Sequence, residues 1–116
     1  MTDIDLDELR VRLDAVPIFD VRTEHEYAGT FGKPCDPRQG HVPGARHLEL
    51  GELLGLTEEA ARERVALPAG AEVVVYCHSG SRSALAAEVL RRLGFDARNY
   101  RGSWLEWSRT DLPIEG

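Results

Sequence analysis

One stretch of the chain, EVVVYCHSGSRSALAAEVLRRLG at residues 72–94, restricts the possible folds more than any other. Its first part, Glu72–Tyr76, is short, apolar and β-branched, which predicts a central strand buried on both faces. From residue 83 to residue 93 the apolar side chains recur at helical spacing, and Gly94 lies where a C-cap glycine is expected. A buried strand joined to a helix by a short polar loop is typical of a parallel α/β sheet.

Strand-like and helix-like segments alternate along the rest of the chain. Further strands are predicted at residues 17–21, 45–50 and 95–100, and further helices at residues 5–14, from Thr23, at 57–66 and at 103–107. Capping boxes are predicted for Asp5 with Glu8, for Thr23 with Glu26 and for Ser103 with Glu106, and Thr57 caps the helix that follows it. Residues 29–44 are rich in glycine and proline and are predicted to form a loop.

This alternation predicts an α/β fold with a doubly wound, mostly parallel sheet covered by helices on both faces. The 116 residues suit one domain, spanning 1–116, and a hydrophobic content of 42% is enough for a core. We find no internal repeat or linker that would divide the chain. Crossovers between the parallel strands should be right-handed.

Charge and composition exclude several classes of function. A formal net charge of −6 argues against nucleic acid as the main partner. No apolar run reaches the ~18 residues of a membrane helix. The acidic N-terminus resembles no signal peptide, so we expect a cytoplasmic protein without a membrane partner. Two cysteines, Cys35 and Cys77, are too few for a disulfide scaffold, and thiols in a reducing compartment pack or do chemistry.

Cys77 stands where the predicted central strand ends, and ligands of parallel α/β sheets bind beyond the carboxyl ends of strands. The residues after it, His78, Ser79, Gly80 and Ser81, are small or polar and can curl tightly. The helix that follows directs its free N–H groups back at this loop. Such a loop forms a nest of backbone donors that stabilises an anion, either the Cys77 thiolate or a charged ligand.

A free cysteine with a pKa near ~8.5 is only about 3% thiolate at pH 7. Lowering that pKa by roughly two units requires about 2.7 kcal/mol and would ionise most of the thiol. Several N–H donors, the helix N-terminus and Arg82 can supply this amount, so Cys77 is the candidate nucleophile. The alternative is that Cys77 is a small buried hydrophobic residue.

Four motifs occur in order: FDVRTEHEY, GHVPGARHL, YCHSGSRS and YRGSWLEW, at residues 19–27, 40–48, 76–83 and 100–107. On these motifs the chain resembles the rhodanese-like domains over nearly its whole length, and in particular the catalytic half of two-domain thiosulfate or mercaptopyruvate sulfurtransferases. The resemblance implies a five-stranded sheet. It also implies that Cys77 takes a sulfane sulfur as a persulfide from a small anionic donor such as thiosulfate. Cyanide, a thiol or a protein would accept the sulfur, and no cofactor is implied.

Two features of the sequence leave alternatives open. Cys77 and Arg82 form a C-x4-R loop, whereas phosphatases and arsenate reductases of this fold have one residue more, so such an enzyme is the lesser alternative. Glu26 stands where the two-domain relatives carry an arginine that helps to hold the donor. That substitution and the acidic charge favour a second alternative, a sulfur carrier or interaction module with little turnover on its own.

Supporting roles are expected for residues around the loop. Arg82 binds donor oxyanions or braces the loop by pairing with a carboxylate such as Asp20. Asp20 and Arg22 fix neighbouring loops through directional hydrogen bonds. His78 is expected to point to solvent. Ser79, Ser81 and Ser83 can donate hydroxyl hydrogen bonds to a persulfide, although Ser83 is expected to be a helix cap.

The remaining cysteine, histidines and tryptophans receive structural interpretations. His25, His41, His47 and Cys35 fit no standard zinc spacing, so no metal is expected. His41 is expected to form a local hydrogen bond within its turn. Cys35 is interpreted as an incidental loop thiol, or alternatively as a resolving thiol that attacks the Cys77 persulfide. Trp104 and Trp107 are expected to pack the C-terminal helix onto the core.

Overall fold

Five parallel strands form the sheet at the centre of the fold, in the computed structural model, which describes residues 3–116. In chain order the elements are β1 (Asp3–Ile4), α1 (Leu6–Arg10), β2 (Ile18–Asp20), α2 (Glu24–Ala28), β3 (Arg46–His47), α3 (Leu50–Gly55), α4 (Glu58–Val65), β4 (Glu72–Tyr76), α5 (Ser81–Arg92), β5 (Asp96–Tyr100) and α6 (Ser103–Trp107). The strand order is β1-β5-β4-β2-β3, and every pairing is parallel.

The central position of β4 confirms the prediction from its composition. β4 pairs with β2 on one side and β5 on the other, so that Val74 lies opposite both Ile18 and Arg98. Val73, Val74 and Val75 are fully buried. Because strand order reverses around β4, the carboxyl end of this strand opens into the crevice where doubly wound sheets bind ligands.

Helices cover both faces of the sheet, as predicted. Alternate residues of β4 face opposite sides, since Val73 and Val75 belong to one apolar cluster and Val74 and Tyr76 to the other. The first cluster receives side chains from α3, α4 and α5, and the second from α1 and α6. Trp104 and Trp107 are fully buried in the second cluster, which confirms that they pack the C-terminal helix onto the core.

Most of the predicted helix starts are found. Thr23 and Glu26 form a reciprocal capping box at α2, and Thr57 accepts a hydrogen bond from the Ala60 N–H at α4. Asp5 caps the short helix α1 by accepting from the Glu8 N–H at 2.9 Å. The capping box predicted there is only half formed, because the Glu8 carboxylate accepts from Arg12 and Arg98 instead. Residues 29–44 form the predicted loop, apart from one antiparallel bridge between His41 and Glu115.

Two predicted caps are wrong, and in both cases the serine lies inside the helix and makes tertiary contacts instead. α5 begins at Ser81 after an N-cap at Gly80, so Ser83 lies in its first turn. α6 has its N-cap at Gly102 without a side-chain cap bond, and Ser103 lies within the helix with a φ of 54°. Glu106 accepts the Tyr100 hydroxyl at 2.7 Å rather than completing a capping box.

Two elements were not predicted from the sequence. β1 has only two residues, and its pairing of Asp3 with Asn99 and Ile4 with Tyr100 is formed across the whole length of the chain. α3 starts at Glu49 without a side-chain cap bond, so no local signal marks its start. Among residues 3–116, no helix has the length and apolar character needed to cross a bilayer.

Candidate active site

Cys77 lies directly after β4 with its side chain enclosed by the turn that leads into α5. The residue is 1% exposed. The Gly80 N–H donates to Cys77 Sγ at 3.1 Å, and the Ser83 hydroxyl lies 3.3 Å from the same sulfur. Burial alone would raise the pKa of Cys77, but the hydrogen bonds from the Ser83 hydroxyl and from the N–H groups of Ser83, Gly80 and Ser79 outweigh it and lower that pKa. The thiolate nest predicted from the sequence is therefore present.

A buried asparagine on β5 holds this turn in place. The Ser83 hydroxyl lies 2.7 Å from Asn99 Oδ1, and Asn99 Nδ2 donates to the Gly80 carbonyl at 3.1 Å. Ser83 has one proton and two candidate acceptors, since Cys77 Sγ and Asn99 Oδ1 are both within reach. When Cys77 is a thiolate, the shared proton can turn toward the sulfur. Asn99 thus fixes two of the groups that surround Cys77.

The start of α6 holds the backbone on the other side of Cys77. Ser103 Oγ accepts the Cys77 N–H at 3.1 Å and donates to the Tyr100 carbonyl at 2.7 Å. The N–H of Trp104 donates to the Cys77 carbonyl, and the N–H of Leu105 donates to the His78 carbonyl, both at 2.9 Å. The first free amides of α6 are thereby paired with the loop, which explains why α6 needs no serine cap.

Arg82 braces the loop through Glu26, not through Asp20 as the sequence suggested. Its guanidinium nitrogens lie 3.1 and 3.4 Å from the two oxygens of Glu26. Burial would raise the pKa of Glu26, but the Arg82 guanidinium and the amide and hydroxyl of Thr23 lower it to about 2. Glu26 is therefore ionised at neutral pH and balances the charge of Arg82.

Asp20 and Arg22 form a second, fully buried pair at the end of β2. Arg22 Nη2 donates to Asp20 Oδ2 at 2.7 Å and to the Gly40 carbonyl at 2.6 Å. The Tyr76 hydroxyl donates to the same carboxylate at 2.7 Å. The Arg22 guanidinium lies 4.9 Å from the ring centre of Trp104. These bonds tie the ends of β2 and β4 to the long loop and to α6, as expected for a structural pair.

His78 does not point to solvent, so that expectation is wrong. Its Nε2 lies 2.9 Å from Asp36 Oδ2, and the Asp36 side chain is 1% exposed. Arg109 donates to the other Asp36 oxygen at 3.1 Å and to the Cys35 carbonyl at 2.8 Å. Asp36 lies 42 positions from His78 in the chain, so no local pattern links the two.

The same place contains a group of side chains that could hold a metal ion. Ligand atoms of Cys35, Asp36 and His78 all lie within 4.8 Å of one another. The Arg109 guanidinium already occupies one oxygen of Asp36, so a metal ion would have to compete with this cation. Cys35 is exposed and forms no disulfide, and its Sγ lies 4.0 Å from Asp36 Oδ1. Its proposed role as a resolving thiol stays a prediction.

The serines at the tip of the loop face outward. Ser79 and Ser81 are exposed and line an open cleft of about 430 Å³ together with Gly80, Asn99 and Arg101. The cleft runs along the outer side of the loop, at residues 79–81.

His41 makes a tertiary contact where a local one was predicted. Its Nδ1 lies 2.7 Å from the Tyr27 carbonyl, 14 residues away, and the two rings stack at 3.8 Å. The GHVPGA segment is therefore held against α2 by this histidine.

Sequence reasoning missed three residues that shape the site: Asn99, Ser103 and Asp36. The role of Asn99 could have been suspected from the sequence, because it lies in the predicted strand at 95–100. An amide side chain buried in such a strand must form hydrogen bonds. The sequence gives no such signal for Asp36 or Ser103. Their hydrogen bonds to His78 and Cys77 join residues that only the fold brings together.

The fold and the site together define a class of protein: a parallel α/β domain that holds a buried cysteine at a strand end, within a loop of hydrogen-bond donors. The rhodanese-like domain family model matches residues 5–110. The chain belongs to the rhodanese-like domain family.

Three relatives illustrate the similarity. The chain is 38% identical over 115 residues to a thiosulfate sulfurtransferase of Corynebacterium glutamicum, covering 84% of this chain and 38% of that protein. It is 43% identical to the crystal structure of a "probable thiosulfate sulfurtransferase", with a TM-score of 0.86 over 98% of this chain and 47% of the other. A human single-domain sulfurtransferase is 29% identical, with a TM-score of 0.74, and is covered over 99% of its length. The chain therefore spans about two fifths of the curated relative and nearly all of the human protein.

Proposed function

We propose that this chain is a sulfurtransferase that moves a sulfane sulfur through a persulfide on Cys77, acting as one domain over residues 1–116. The observation that carries the proposal is the ring of donors around the Cys77 sulfur, which lowers the pKa of a buried thiol. Nucleophilic attack on sulfur requires the thiolate form. Two of the relatives described above are named as sulfurtransferases, which supports the same chemistry.

The two half-reactions balance without a cofactor or an oxidant. The Cys77 thiolate attacks the outer sulfur of thiosulfate, the S–S bond of thiosulfate breaks, and sulfite leaves with that electron pair. The product is a Cys77 persulfide anion, which the loop N–H groups hold as they held the thiolate. Cyanide or a thiolate then attacks the terminal sulfur and restores the Cys77 thiolate. Covalent catalysis of this kind predicts ping-pong kinetics.

The test is intact-mass spectrometry after exposure to thiosulfate. We expect a gain of about 32 Da, one sulfur, that maps to Cys77 and disappears when cyanide is added. Cys77→Ser should gain nothing, and Cys35→Ser should gain the same mass as the wild type. Loading of the Cys77→Ser variant would overturn the assignment. Rapid hydrolysis of an aryl phosphate with no thiosulfate loading would favour a phosphatase instead.

A sulfur carrier with little turnover of its own is the second candidate function. The observation that favours it is the pairing of Arg82 with Glu26 and of Arg109 with Asp36, which leaves these cations balanced by carboxylates rather than available to a small dianion. Comparison of steady-state turnover with the rate of a single loading event separates the two roles. Fast loading with slow turnover identifies the carrier, whereas comparable rates identify the enzyme.

A further inference from the structure

Arg82, the arginine of the Cys77 loop, forms a salt bridge with the buried carboxylate of Glu26. Arg82, which interacts electrostatically with the Cys77 thiolate, is bound by Glu26 through both of its terminal nitrogens. The Glu26 side chain is 8% exposed and its pKa is about 2, so it is charged whenever Cys77 is a thiolate.

The other charged groups around the loop show the same balance. Arg22 is paired with Asp20 at 2.7 Å. Asp36 is shared by His78 and Arg109 at 2.9 and 3.1 Å. Arg22, Arg82 and Arg109 are therefore each offset by a carboxylate, and the ionised sulfur of Cys77 adds one further negative charge. Within residues 3–116, the donors that form hydrogen bonds to that sulfur are neutral: the backbone amides and the Ser83 hydroxyl.

We propose that Glu26 makes the Cys77 site selective for sulfane-sulfur donors with a single negative charge over the doubly charged thiosulfate. This inference rests on the sulfur transfer proposed above and names the class of donor: thiosulfonates, in which carbon replaces one charged oxygen of thiosulfate, and alkyl persulfides, in which an alkyl group on the inner sulfur stands in place of all three oxygens. A singly charged donor meets half the repulsion that thiosulfate meets from Glu26. The transfer step is unchanged, since the Cys77 thiolate takes the outer sulfur of a thiosulfonate and a sulfinate leaves with the electron pair.

Thiosulfate and methanethiosulfonate are matched probes, because they differ by one charged oxygen replaced by a methyl group. The measurement is the single-turnover rate of Cys77 loading with each donor, in wild type and in Glu26→Gln. Each donor is first compared with itself in the two proteins, so its intrinsic reactivity cancels. The acceleration for thiosulfate is then divided by that for methanethiosulfonate, which cancels any change in the thiolate fraction of Cys77. Glutamine keeps an oxygen that can accept the Thr23 N–H, which preserves the cap of α2.

We expect Glu26→Gln to speed loading by thiosulfate about 25-fold and loading by methanethiosulfonate about fivefold, because the doubly charged donor feels the removed charge twice. Glu72→Gln is the control. Glu72 is also bound to arginines and also has a pKa of about 2, but it begins β4 and lies about 16 Å along the strand from Cys77. That variant changes the net charge equally and should leave the ratio of the two rates unchanged.

Equal acceleration of both donors, or no acceleration of either, would overturn the inference while leaving the sulfur transfer intact. Failure of wild-type Cys77 to load with either donor would overturn the proposed function itself.

A second test measures the loading rates of the wild-type protein at different ionic strengths, so it does not depend on whether a variant folds. Salt weakens the repulsion between an anionic donor and the negative charges of the site. It should therefore speed wild-type loading by thiosulfate more than loading by methanethiosulfonate. Slower loading by thiosulfate at high salt would show a site that attracts dianions, and would contradict the role of Glu26.

Discussion

Replacement of Ser83 by alanine removes a hydroxyl 3.3 Å from the Cys77 sulfur, and we expect the pKa of Cys77 to rise. The backbone donors from residues 79, 80 and 83 are kept in this variant, since α5 continues through the position. The change therefore isolates the side-chain contribution to the stability of the thiolate.

The size of the shift follows from the geometry. A hydrogen bond to a charged group contributes about 1.5–3 kcal/mol. The lower end applies here, because the single Ser83 proton is shared with Asn99 Oδ1 at the shorter distance of 2.7 Å. One pKa unit corresponds to about 1.36 kcal/mol, so the pKa of Cys77 should rise by about one unit. Asn99 Oδ1 also loses its hydrogen-bond donor in this variant, and we expect a loss of about 1–3 kcal/mol in the free energy of unfolding.

The assay is the pH dependence of alkylation by iodoacetamide in a Cys35→Ser background, where Cys77 is the remaining thiol. Only the thiolate reacts, so the midpoint of the rate against pH gives the pKa of Cys77. Ser81→Ala is the matched control, since Ser81 is an exposed serine in the first turn of the same helix. If the Ser83→Ala and Ser81→Ala variants have the same midpoint, the Ser83 hydroxyl does not stabilise the thiolate and the reasoning is refuted.

Three further perturbations have definite expected outcomes. The pKa of Glu26 in the folded protein, about 2, lies below its ordinary value of 4.5. The ionised carboxylate therefore stabilises the fold above pH 4.5 by up to about 3 kcal/mol. This contribution is lost as the pH falls toward 2. Urea unfolding of Glu26→Gln across that window should show a flatter pH dependence than that of the wild type. Gly80→Ala should unfold at lower temperature and alkylate more slowly, because φ is 96° and an added Cβ would lie 2.7 Å from the Arg101 carbonyl oxygen. Trp107→Ala should lose about 3–5 kcal/mol in urea unfolding, since the ring is fully buried, and a loss below 1 kcal/mol would contradict its place in the core.

The parts of the fold that follow local rules could be predicted from the sequence. β4 and α5 are marked by composition and periodicity, and the position of Cys77 between them follows from chain order alone. The caps at Thr23 and Thr57 were also correct, because each cap bond joins residues three positions apart. In contrast, β1 has two residues and exists only because β5 lies beside it.

The partners of charged side chains could not be predicted, since sequence reasoning had no means to choose among several carboxylates. Asp20 is one carboxylate that the sequence offers to Arg82, but Arg22 and the Tyr76 hydroxyl already form hydrogen bonds to it. Glu26 lies 56 positions from Arg82 and was noted only because an arginine was expected in its place. The carboxylate at this position is the partner that Arg82 takes.

The two serines that were expected to be caps show why local rules fail at this site. Ser83 and Ser103 both satisfy the sequence pattern of a helix start, yet each hydroxyl instead contacts Cys77, at the sulfur and at the N–H respectively. A cap bond stabilises a helix by about 1 kcal/mol. A buried thiolate or amide without a hydrogen-bond partner destabilises the fold by about 1–3 kcal/mol or more. Each hydroxyl therefore stabilises the fold more by bonding Cys77 than it would by capping the helix. The departures from the capping pattern therefore coincide with the position of Cys77.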